Sequence, residues 1–205
     1  MVFILNVEFW VCSIKGFEKM KVLYVDACVR KNSRTRILAD YLVERLGGEV
    51  KRVELTKCNL HYADENYLAK RFDCIKKKDF DDKMFDYAKD FASADEIVMA
   101  VPYWDFSFPA LFKMYIENIN VSKITFDFSA KGEPVFLCRA KKLYYVTTEG
   151  GYGTDDFGFG YIEALCKKMY GIDEVVLIKA DGLDIKGNDT EDILSKAKAQ
   201  IYDLF

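Results

Sequence analysis

Three short stretches of the chain hold the residue types that could do chemistry. Residues 26–35 read DACVRKNSRT, in which hydroxyls, an amide and the cations Arg30, Lys31 and Arg34 run into a helical pattern. A helix N-terminus offers free N–H groups and positive potential, so a phosphate fits there. Ser33 and Thr35 can add hydroxyl donors, and Arg34 a charged fork. A helix cap at Asn32 or Ser33 would explain one such residue but not the basic cluster. Residues 101–109 read VPYWDFSFP and carry Tyr103, Trp104, Phe106 and Phe108 between two prolines that stiffen the turn. A flat conjugated ligand needs such stacking surface, with backbone donors at its polar edge. Residues 147–153 read TTEGGYG, and glycines let a backbone approach a planar ring closely. Together the stretches describe phosphate, ring and ring-edge contacts for one mononucleotide.

The first stretch also admits a rival chemistry. Cys28 and Arg34 stand at C-x5-R spacing with Thr35 following, the spacing of a phosphatase nucleophile and its phosphate-binding arginine. A thiolate at a helix N-terminus has a lowered pKa, so the physics is sound. The low-molecular-weight tyrosine phosphatases pair this arrangement with an acid from an Asp-Pro loop. Here Pro102, Pro109 and Pro134 are the prolines, and none follows Asp. No G-x-G-x-x-G or G-K-[ST] fingerprint occurs in the stretch either.

These stretches need elements to position them. Apolar runs at residues 22–25, 50–55, 97–101, 143–146 and 175–178 read as five strands. Four are nearly continuous, as expected for parallel strands covered on both faces, while the more polar 50–55 suits an edge. Helical stripes lie between them: 33–46, ended by Gly47-Gly48; 80–91; one opened by Pro109; 157–169; and 191–204, with Asn188 as its cap. Residues 123–137 alternate as a hairpin around Lys131-Gly132. The fold expected is α/β, a flavodoxin-like doubly wound five-stranded parallel sheet of order 2-1-3-4-5, with the hairpin inserted before strand four. Ligands bind at the carboxyl ends of strands in such folds, where all three stretches fall.

Composition narrows the field. The chain has 205 residues, is 51% hydrophobic and has a formal net charge of −3, which suits one folded domain and gives no support to nucleic acid as the main partner. No apolar run is long enough to span a membrane. One histidine excludes a site built on several, and the six scattered cysteines lack C-x-x-C spacing, so they read as reduced thiols and not as metal ligands. Residues 1–19 make a poor signal peptide and read as an upstream extension, with Met20 as the natural start and 20–205 as the domain.

The sequence resembles the FMN-dependent NAD(P)H quinone reductases and azoreductases of flavodoxin-like fold. The likeness runs from about Lys21 to the C-terminus, most specifically in VPYWDFSFPALFKMYIENI, ITFDFSAKGEPVFL and VTTEGG. It implies that Pro102, Tyr103, Trp104, Asp105 and Phe106 hold the isoalloxazine ring, with Asp105 standing where the family often has Asn. It implies that Thr148, Glu149, Gly150 and Gly151 lie beside the flavin, and that Ser33, Arg34 and Thr35 receive the phosphate. Cys28 occupies a position where the family often has a hydroxyl, and the resemblance places it among the cofactor-binding residues. The flavin would carry the chemistry, with no essential side-chain acid and with NAD(P)H as co-substrate. The resemblance further implies a cytoplasmic homodimer, with flavin sites at the subunit interface, that reduces planar acceptors such as quinones and, in some members, azo compounds. A non-catalytic flavodoxin-like electron carrier is the alternative.

Overall fold

The computed structural model describes residues 19–205. Its strands are β1 (Lys21–Asp26), β2 (Glu49–Glu54), β3 (Glu96–Ala100), β4 (Phe126–Phe128), β5 (Pro134–Phe136), β6 (Lys142–Thr148) and β7 (Glu174–Ala180). Five of them pair in parallel in the order β2-β1-β3-β6-β7, which is the doubly wound order expected. β4 and β5 form the separate antiparallel hairpin, Phe126 opposite Phe136 and Phe128 opposite Pro134. β2, the polar run, is an edge strand, where an exposed face is tolerated.

The helices are α1 (Arg34–Leu46), α2 (Glu65–Lys77), α3 (Asp86–Ser93), α4 (Ala110–Ile119), α5 (Phe159–Leu165) and α6 (Thr190–Tyr202). They follow from the strand pattern, because successive strand residues point to opposite faces. Val53, Val25, Met99, Tyr145 and Leu177 form one row across the sheet and pack with Phe91 of α3, Phe112 and Ile116 of α4 and Ile162 of α5. The next row, Tyr24, Val98, Tyr144 and Val176, packs on the other face with Leu38 and Leu42 of α1 and Ala197 and Ile201 of α6. Fully burying side chains of this size contributes roughly 1.5–3 kcal/mol each. α1 stops at Gly47, whose φ of 66° suits glycine and whose N–H bonds the Val43 carbonyl.

Some local expectations differ from the fold. The stretch read as one helix over 80–91 is a short 3-10 turn, Lys83–Phe85, followed by α3. Asp82 explains the break, since its carboxylate accepts from the Met84 N–H at 2.9 Å and starts a new turn there. Asp189, not Asn188, caps α6, accepting from the Glu191 and Asp192 N–H groups. The amide of Asn188 instead donates to the Gly182 carbonyl at 2.8 Å. The stripe over 157–169 starts at Phe159 and continues as a π turn over Cys166–Tyr170. The reading of residues 1–19 as an extension falls on 1–18, outside the described residues. Five of the cysteines, Cys28, Cys58, Cys74, Cys138 and Cys166, are free thiols.

Candidate active site

The three stretches meet because the strands before them are neighbours. β1, β3 and β6 are adjacent, so the loops leaving their carboxyl ends lie side by side. The pairing continues past the strand ends: the Tyr103 N–H donates to the Thr148 carbonyl at 3.3 Å and the Ala27 N–H to the Ala100 carbonyl at 2.9 Å. Ser107 Oγ donates to the Phe157 carbonyl at 2.8 Å, tying the aromatic loop to the far end of the glycine loop.

Two adjoining cavities open there. One, of about 160 Å³, is lined by Arg30, Asn32, Ser33, Arg34 and Thr35, by Pro102, Tyr103 and Trp104, by Thr148 and Gly150, and by Asp184. The other, of about 250 Å³, is lined by Tyr103, Asp105, Phe106, Glu149, Gly151, Tyr152 and Gly153. Tyr103 belongs to both. Among the candidate residues, Cys28 alone lines neither.

The first cavity is polar and sits at the start of α1. Ser33 caps that helix, accepting from the Arg36 N–H at 3.4 Å. The Thr35 and Thr148 hydroxyls are 2.7 Å apart and share a hydrogen bond that ties the first turn of α1 to the end of β6. Arg34 forks onto Asp184 at 2.9 and 3.2 Å and donates to the Leu183 carbonyl at 3.3 Å. The guanidinium holds the Asp184 carboxyl below its ordinary value. Arg34 keeps further N–H donors beyond these. The donor set of hydroxyl, guanidinium and helix N-terminus is what a phosphate monoester needs.

The second cavity is walled by rings. Trp104 and Ser107 exchange backbone hydrogen bonds of 3.1 and 2.8 Å around a two-residue turn. Both central residues take positive φ, 51° at Asp105 and 64° at Phe106. That geometry matches the twist of a hairpin, and Asp tolerates it better than Phe. It leaves Phe106 exposed, with its ring 6.5 Å from that of Tyr103. Opposite, a Cβ added at Gly151 would meet no atom within 4 Å, so its backbone is open to a flat ligand. Glu149 is buried, and its Oε2 accepts from the Gly153 N–H at 2.8 Å while Lys179 lies 3.3 Å from its Oε1. Its carboxylate thus shapes the glycine loop from within.

Cys28 cannot serve as the phosphatase nucleophile weighed above. Its side chain is buried and points at the Ala100 carbonyl, 3.8 Å away. Burial pushes its thiol up to about 12, so little thiolate exists at neutral pH. His61 is no base here: it stacks on Tyr67 beside a larger groove of about 730 Å³ that none of the candidate residues lines.

Tyr152 and Gly153 belong to the glycine stretch read from the sequence but were not among its expected flavin contacts, and Asp184 was not singled out at all. Asp184 follows β7, and only a survey of every strand's carboxyl end would have found it. Its N–H donates to the Gly150 carbonyl at 2.8 Å, which fastens the β7 loop to the glycine loop.

The fold and the clustering of loops define a doubly wound α/β protein with a mononucleotide-type crevice at its strand ends. Residues 20–204 match the family described as flavodoxin-like fold, and the chain belongs to that family. A relative from Clostridium perfringens, named FMN-dependent NADH:quinone oxidoreductase, is 32% identical over 84% of this chain and 91% of its own length. One of the same name from Coprothermobacter proteolyticus is 31% identical over 90% of this chain and 97% of the relative. Among solved structures, an azoreductase from Bacillus anthracis superposes with a TM-score of 0.78 at 21% identity, covering 90% of this chain and 98% of that one. An FMN-dependent NADH-azoreductase of the same species, solved in complex with FMN, gives 0.76 at 18% identity over 90% and 97% of the two chains. At those identities the structural likeness shows the fold. The resemblance read from the sequence is borne out by the relatives.

Proposed function

We propose that the chain is an FMN-dependent NADH:quinone oxidoreductase that also accepts other planar acceptors, azo compounds among them. The observation that carries this reading is the meeting of a polar cavity at a helix N-terminus with an aromatic, glycine-lined cavity, joined at Tyr103. The names of the relatives support FMN as cofactor and NADH as donor. Ser33, Arg34 and Thr35 would hold the phosphate. Pro102, Tyr103, Trp104, Asp105 and Phe106 would hold one side of the ring, and Thr148, Glu149, Gly150 and Gly151 its edge. Cys28 is proposed only as packing beneath the phosphate loop.

When bound, FMN supplies the two-electron chemistry. The chain's residues bind and orient. Tyr103 and Phe106 offer ring faces, and the Gly151 backbone leaves room for a flat partner. A nicotinamide and a quinone are both flat and must reach the same place, so they use it in turn. Such alternation gives ping-pong kinetics. Turnover without a partner reductase separates this reading from an electron carrier.

The reading includes a homodimer in the cytoplasm. Among the described residues no helix is long and apolar enough to cross a membrane. Residues 1–19 are taken as an upstream extension, so a chain beginning at Met20 should bind FMN and melt like the full chain. The test of the function is direct. The purified chain is reconstituted with FMN and assayed for NADH consumption with a quinone. Failure to bind FMN, or bound FMN without NADH oxidation, would refute the reading.

A further inference from the structure

Anion-binding loops usually gain their shape from glycine, and residues 26–35 contain none. Something else must hold this loop's backbone. The side chain of Arg36 does so. It lines neither cavity and reaches behind the loop. Its Nη1 donates to the carbonyls of Arg30 and Lys31 at 2.8 and 3.0 Å, and its Nη2 to the carbonyl of Cys28 at 2.5 Å. One guanidinium therefore gathers three carbonyls of the loop.

The guanidinium is itself anchored. Its Nε donates to Asp26 Oδ2 at 2.7 Å, and the Asp26 carboxylate is fully buried at the end of β1. That carboxylate also accepts from Arg52 at 2.7 Å and from the Cys28 N–H at 2.9 Å. Burial alone would push Asp26 up, but the hydrogen bonds from Arg36, Arg52 and Cys28 outweigh it and keep the group ionised. A carbonyl facing a phosphate repels it. Carbonyls collected on a cation at the back of the loop are kept from that face, and only a planar fork with several donors can collect three.

We infer that Arg36, anchored by Asp26, is the positioning residue that shapes this glycine-free loop into an anion-binding loop. The inference rests on the reading that the loop receives the FMN phosphate. Arg36 does not touch the ligand; it acts through the Cys28, Arg30 and Lys31 carbonyls.

The test compares FMN with riboflavin, which lacks the phosphate, by fluorescence titration of the full chain and of Arg36→Met and Arg36→Lys. The wild type should bind FMN far more tightly than riboflavin. Arg36→Met should lose about tenfold or more in FMN affinity, as for one charge-assisted hydrogen bond, with riboflavin affinity unchanged. Arg36→Lys should rescue only part of that loss, because an ammonium has no fixed fork. If Arg36→Met does not fold, Asp26→Asn is titrated in the same way and should narrow the preference too. Equal affinities in the wild type would refute the phosphate reading and this inference with it. A wild-type preference retained in full by the variants would overturn the inference alone.

Discussion

The Tyr103 ring lies against the backbone of Gly153. Its hydroxyl accepts the Thr154 N–H at 3.1 Å, and a Cβ built at Gly153 would stand 2.3 Å from that hydroxyl oxygen. The contact fixes the ring that both cavities share. Gly153→Ala should push Tyr103 aside and break the hydrogen bond, costing about 0.5–1.5 kcal/mol of stability. FMN affinity should fall with it. Thermal melting and flavin titration check the pair of effects, and an unchanged flavin affinity would mean that the ring's position is not needed.

The Asp105-Phe106 turn stores strain. A non-glycine residue held at positive φ costs on the order of 1 kcal/mol, more for a bulky side chain than for Asp. Phe106→Gly should therefore raise the melting temperature while it weakens ring binding, since it removes an exposed aromatic wall. Asp105→Asn should leave melting nearly unchanged, because Asn takes the same positive-φ backbone as readily as Asp. A drop in stability for Phe106→Gly would show that the side chain packs.

Two adjacent glycines should separate in their effects. A Cβ at Gly150 would meet Asp184 Oδ2 at 2.4 Å, whereas one at Gly151 meets nothing within 4 Å. Gly150→Ala should displace Asp184 from Arg34 and destabilise the chain by about 1 kcal/mol or less, since that ion pair is exposed. Gly151→Ala should leave melting unchanged and weaken flavin binding, because its methyl enters the space proposed for the ring. Chemical denaturation alongside flavin titration distinguishes them.

The strand order was legible in the sequence because four strands read as continuous apolar runs and the fifth, Val50–Leu55 in its polar register, as an edge. The meeting of three loops was legible because the doubly wound order makes β1, β3 and β6 neighbours. Asp184 was not, because its role rests on a pairing with Arg34 that is 150 residues away in sequence. The work of Arg36 was hidden for a related reason. Nothing in the string DACVRKNSRTR says that the last arginine folds back on the loop while Arg34 faces the cavity. The cap of α6 failed for want of one hydrogen bond, Asn188 being already committed to Gly182.

Asp26 makes stability depend on acid pH. Its folded pKa lies below the unfolded value near about 3.9. Its contribution is thus complete above that unfolded value and is lost as pH falls through the folded one. Asp26→Asn should cost about 1–3 kcal/mol at neutral pH, less than for a wholly buried pair because Arg36 and Arg52 reach water. The gap between wild type and variant should close below about pH 4. Denaturant unfolding across pH checks the sign, and a gap that widens in acid would contradict it.

The proposed function requires that the chain take electrons from NADH into its own FMN and pass them on in a separate step. The most direct measurement mixes the FMN-loaded protein with NADH under anaerobic conditions, with no acceptor present, and follows the yellow flavin absorbance. One equivalent of NADH should bleach the flavin fully, and the colour should return when a quinone is added afterwards. Absorbance that stays unchanged until a reductase partner is supplied would contradict it.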